Sequence, residues 1–100
     1  MSRLDASALT AAAVKALGAE PDPTGAADLV WNRGKVVVAA EAEGLKAAFD
    51  RLKKIDGYRW LVINREDLFA ANSLSIGSKA GIVDPHGNVL KAPDIPRRKV

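Results

Sequence analysis

Cysteine is absent from these 100 residues, which excludes disulfides and thiolate metal sites and suits a reducing compartment. Histidine occurs once, at His86, so a histidine relay would need partners to which the sequence does not point. Aromatic residues make up only 5% of the chain, and much of the 48% hydrophobic content is alanine. That balance favours close helix packing over a deep aromatic interior. Apolar runs fall far short of the ~18–20 residues of a membrane span. Residues 1–18 carry Arg3, Asp5 and Lys15 where a signal peptide would have its apolar core. A soluble, cytoplasmic protein without a membrane partner is the expectation. Ser73, Ser75 and Ser78 lack the glycine frame of a nucleophile elbow, so serine hydrolysis has no support.

What is present is unevenly placed. Residues 1–90 hold eleven basic and eleven acidic side chains, so the net charge of +3 comes from Lys91, Arg97, Arg98 and Lys99 against Asp94. A basic end after Pro93 and Pro96 can touch phosphates, and it is equally at home in water.

Residues 5–17 read as a helix. Leu9, Ala13, Ala16 and Leu17 recur at helical spacing, Asp5 or Ser7 can cap it, and Gly18 stops it. Residues 20–25 contain two prolines and a glycine and read as an irregular connection. A hairpin is expected from about Ala27 to Glu43, with a second strand that is apolar on both faces from Val36 to Ala40. A second helix over 45–54 has the apolar stripe Leu45, Ala48, Phe49 and Leu52. It leads into the apolar strand Tyr58 to Ile63, which implies a parallel crossover. Asn64 reads as the cap of a short helix over 67–73. The turn Asp84-Pro85-His86-Gly87 joins a second hairpin and keeps His86 at the surface. The expected fold is therefore α/β: one domain over 1–92 with a small mixed sheet of three to five strands flanked by helices. Its order is α-ββ-α-β-α-ββ, and residues 93–100 form a basic tail.

Asp28 stands at one end of the first hairpin, and the triplet Glu41-Ala42-Glu43 stands at the other. If Arg33-Gly34 are the turn residues, Asp28 lies opposite Ala39, on the face that strand alternation gives to Glu41 and Glu43. A three-residue loop, Asn32-Arg33-Gly34, would turn Asp28 to the other face. Gly34 suits either loop, since both favour a positive φ near it. Carboxylates gathered in this way are what a hard divalent cation needs. The two glutamates also suit a plain lead-in to a helix N-terminus.

The stretch GAADLVWNRGKVVVAAEAEGLKAAFDRLKKIDGYRWLVI resembles the core of the PD-(D/E)xK nuclease superfamily, particularly its small Holliday-junction-resolvase-like members. In that family an aspartate opens one hairpin strand, a (D/E)-x-K triplet closes the next, and a helix leads to a further strand. The resemblance implies that Asp28 and Glu41 hold Mg²⁺ or Mn²⁺ and that Glu43 stands where the lysine is expected. E-x-E also occurs in some restriction endonucleases of the superfamily, where the second acid can bind metal or act as base. Glu20, near the end of the first helix, is implied as a further metal ligand.

The expected function is metal-dependent hydrolysis of phosphodiester bonds in DNA, duplex or branched. Arg33, Lys35, Lys79, Arg97, Arg98 and Lys99 would meet the backbone, and the resemblance implies a homodimer. The alternatives are a catalytically inactive binding protein of this fold, of phage or mobile-element origin, acting on DNA or a host protein, and a small structural or assembly protein.

Overall fold

Helix α1, Ala6–Leu17, has chemically marked ends. In the computed structural model, which describes residues 4–31, 34–55 and 57–93, Asp5 caps it by accepting the Ala8 N–H at 2.8 Å. Gly18 closes it at φ +70, a left-handed conformation that glycine adopts freely, and donates its N–H to the Val14 carbonyl.

Six strands follow in one sheet: β1 Glu20–Pro21, β2 Leu29–Trp31, β3 Gly34–Ala39, β4 Tyr58–Ile63, β5 Gly81–Val83 and β6 Val89–Lys91. They lie in sequence order. β2 pairs antiparallel with β1 and with β3, the strands β3, β4 and β5 are parallel, and β6 returns antiparallel to β5. Helix α2, Leu45–Lys53, crosses from β3 to β4, and α3, Leu68–Ser75, crosses from β4 to β5.

Each helix covers the face its apolar stripe dictates. α1 places Leu9 and Ala13 on Leu29, Val36, Trp60, Val62 and Val83. α2 and Ala71 of α3 pack on the other face, over Val37, Ala39, Leu61, Ile63 and Ile82. Successive residues of β3 and β4 feed opposite cores, which explains why both strands read as continuously apolar. Ala16, expected on the α1 stripe, is exposed.

Several expectations need correction. The sheet has six strands rather than three to five, because Glu20–Pro21, read as irregular, pairs with Val30 and Leu29. Pro21 is tolerated there because β1 is an edge strand and needs no second ladder. The first hairpin pairs Trp31 with Gly34 and Leu29 with Val36, so Gly34 belongs to the ladder and not to the turn. Its glycine requirement comes from crowding: a Cβ would lie 2.7 Å from the Tyr58 carbonyl oxygen and 2.9 Å from Trp60 Cδ1. Strand β3 ends at Ala39, short of Glu43, and the chain enters a 3-10 turn at Ala42–Gly44.

Asn64 makes no side-chain cap to the 3-10 turn Arg65–Asp67 that it precedes. Its buried amide instead accepts the Leu4 N–H at 3.1 Å and donates to the carbonyls of Leu4 and Ala40, each at 2.9 Å. The second hairpin is as expected: the Gly87 N–H reaches the Asp84 carbonyl at 3.1 Å.

Candidate functional site

The three parallel strands give the sheet two chemically different ends. At their carboxyl ends lie Glu41 and Glu43 after β3, Arg65 and Glu66 after β4, and Asp84 and His86 after β5. Asp28, at the head of the antiparallel β2, falls at this same end. Open sheets of this kind receive ligands beyond the carboxyl ends of their strands.

Asp28 is built into the frame. Leu29↔Val36 is the last ladder pair of β2, and beyond it Asp28 Oδ2 accepts the Val38 N–H at 2.8 Å. Its other oxygen, Oδ1, lies 2.9 Å from Arg51 Nη1 of α2, with the two side chains 36% and 40% exposed. Arg51 also donates Nε to the Ala26 carbonyl at 3.0 Å and Nη2 to that of Gly25 at 3.4 Å. One guanidinium thus ties α2 to the connection before β2.

The other expected acids stand differently. Glu41 is exposed and extended, with φ −134 and ψ 147 and no side-chain cap bond. Glu43 lies in the 3-10 turn, so strand alternation does not relate it to Asp28. Glu20 is exposed on β1. Among the described residues, no three His, Asp or Glu side chains gather so as to hold a metal ion. As arranged, with both Asp28 oxygens already bonded, this donor set does not fit a carboxylate-held cation.

Lys35, expected to face DNA, is engaged with Asp22: Nζ lies 2.8 Å from Oδ1. That contact, the backbone N–H groups of Thr24 and Ala27 and the Thr24 hydroxyl together hold the Asp22 carboxyl well below the usual range, against the upward push of burial. Lys79 is exposed at φ +63, the one non-glycine residue with positive φ among those described. Arg33, Arg97, Arg98 and Lys99 lie outside the described residues.

No family model, curated protein or solved structure matches this chain.

Reading the sequence passed over Arg51 and gave Asn64 and Asp84 only local roles, as a helix cap and a turn residue. Asp84 is fully buried. Its Oδ1 accepts the N–H groups of His86 and Asn88, both at 2.9 Å, and its Oδ2 accepts Asn88 Nδ2 at 3.0 Å. Burial pushes its carboxyl upward, but these bonds and the charge of His86 outweigh it, and the group is held below its ordinary range. The D-P-x-G-N spacing is the signal that could have found it. Beside it a groove of about 780 Å³ is lined by Leu4, Ala12, Lys15, Arg65, Glu66 and His86, among others.

Proposed function

We propose that this chain is a binding protein that engages DNA without cutting it, on a frame that resembles the PD-(D/E)xK nucleases. The order β2-β3-α2-β4, with Asp28 at the head of β2 and Glu41 just past β3, supports this reading, while β1 is a strand the resemblance did not imply. The observation that carries the non-catalytic reading is the Arg51 guanidinium on Asp28. It supplies from within the chain the positive charge that a metal would bring, while the Val38 N–H occupies the second oxygen. Glu43, standing where the family has lysine, removes the cation that orients the attacking water.

The test is DNA binding in manganese and, separately, in chelator, with duplex, single-stranded and branched substrates. Equal binding in both buffers and no cleavage is expected. Cleavage in manganese that Asp28→Asn abolishes would overturn this reading in favour of a nuclease.

A homodimer is part of the proposal. Phe69 and Ile76, on and just after α3, are 92% and 75% exposed and are the apolar residues offered for its contact. Sedimentation of the wild-type chain should show a dimer, and Phe69→Ser should shift it towards monomer.

A further inference from the structure

We infer that phosphate backbone is met at the amino-terminal ends of the parallel strands, where Arg59 fastens the end of α2 and the connection before β5, which carry Lys53, Lys54 and Lys79. This rests on the DNA-binding reading above and places the contact at the opposite end from Asp28 and Glu41. Arg59, on β4, donates Nε to the Ile55 carbonyl at 2.7 Å, Nη1 to that of Ser78 at 2.8 Å and Nη2 to that of Lys53 at 3.2 Å. The connection after α2 and the connection before β5 are thereby fastened to one guanidinium. Lys53 and Lys54, 25 residues or more before Lys79 in the chain, each stand within one residue of a carbonyl on that guanidinium.

The Lys79 backbone is held in place as well. The Ser78 N–H and hydroxyl both donate to the Ser75 carbonyl, and the Ala80 N–H donates back to Ser78 Oγ at 3.2 Å. Lys79 sits in that turn at φ +63, a conformation a glycine would adopt at less cost. All three lysines are exposed. Among the described residues the acid that approaches them is Asp50, 3.9 Å from Lys53; Asp56 lies outside those residues.

Three exposed lysines at one end and three exposed glutamates at the other favour an anion at the lysine end. At the carboxyl end Asp28 and Asp84 are answered by Arg51 and Arg65, at 2.9 and 3.7 Å, and Glu41, Glu43 and Glu66 are exposed. The described chain also leaves from the basic end: Pro93 packs over Gly81 so tightly that a Cβ there would lie 2.8 Å from Pro93 Cδ. Lysines contact phosphate as point charges, so this contact is independent of DNA sequence.

The test is the salt dependence of duplex DNA binding by the full chain. The triple variant Lys53→Gln/Lys54→Gln/Lys79→Gln should bind at least tenfold more weakly near 0.1 M salt. Each single variant should flatten the slope of log K against log salt by about 0.9. Lys46→Gln, at the acidic end, should change neither. Lys79→Gly removes the charge while relaxing the backbone, so it should lose affinity with the melting temperature kept or raised. A triple variant with wild-type slope and affinity would overturn this inference and leave the DNA-binding reading standing. Absence of DNA binding by the wild-type chain would overturn both, as would binding to phosphatidylserine vesicles in its place.

Discussion

Arg51 on α2 reaches Asp28 at the head of β2 with 2.9 Å between Nη1 and Oδ1, and this contact decides how the acidic end is read. The pair is more than a third exposed on each side, so the ion pair itself contributes at most about 1 kcal/mol. Asp28 carries a second role through the Val38 N–H. Arg51→Ala should therefore cost about 1 kcal/mol, whereas Asp28→Ala should cost on the order of 1–3 kcal/mol by leaving a strand amide without its partner. Urea midpoints of the two single variants and the double variant would separate these contributions. Equal losses from the two single variants would show that the Val38 bond contributes no more than the Arg51 bonds to Ala26 and Gly25.

Gly34 is held to glycine by its neighbours. Gly34→Ala would place a methyl 2.8 Å from Tyr58 Cβ and 2.7 Å from the Tyr58 carbonyl oxygen, both part of the β4 it must pair with. Backbone and a strand side chain cannot yield cheaply there. The expected loss is about 1–3 kcal/mol, as for other overpacked sites. Hydrogen exchange should quicken at the β3 and β4 amides in particular, and unchanged exchange there would refute the crowding account.

Asn64 joins three stretches of chain. Asn64→Ala removes the bonds to Leu4 and Ala40 in one step, at a site where the residue is only 3% exposed. Each group left without a partner costs on the order of 1–3 kcal/mol unless water reaches it. Leu4 adjoins α1, so the Leu4 amide should lose protection from exchange before the rest of the helix does. A variant that keeps that protection would show that α1 packing alone holds the segment.

Asp84 makes stability depend on pH in a definite direction. Its carboxyl is depressed in the folded chain, so its contribution is complete above the ordinary aspartate value of about 3.9 and is lost as pH falls through the lower folded value. Asp22, depressed chiefly by Lys35, acts in the same window. Unfolding midpoints should hold steady from neutral pH to about 5 as far as these groups are concerned, then drop in stronger acid. Asp84→Asn should be less stable at pH 7 and show a shallower acid drop. An unchanged acid limb would mean that the turn does not depend on the ionised form.

Where local chemistry suffices, sequence and structure agree. Asp5 and Gly18 mark α1, the stripe from Leu45 to Leu52 marks α2, and the double-faced run from Tyr58 to Ile63 is β4 residue for residue. Asp84 to Gly87 is a turn because those residue types close one by themselves. Each of these signals lies within a few positions of what it determines. The hairpin register, the arrest of β3 at Ala39 and the pairing of β1 carry no such local signal. They follow from which amide meets which carbonyl across the sheet, and from Asn64 taking the Ala40 carbonyl.

The candidate site divides along the same line. Carboxylates at the carboxyl ends of the strands were legible, because Asp28, Glu41 and Glu43 stand beside strand boundaries. That Arg51 takes one of them, and that Arg59 holds the carbonyls of Lys53, Ile55 and Ser78 at the opposite end, was not. A guanidinium finds its partners by reach across space: Arg51 binds Asp28, 23 positions away, and Arg59 binds Ser78, 19 positions away, as well as the nearby Ile55 and Lys53. The sequence by itself determined the helices, the buried strands and the balance of charge. Only the tertiary structure decided which charges meet, because that depends on how two crossover helices set their ends against a twisted sheet.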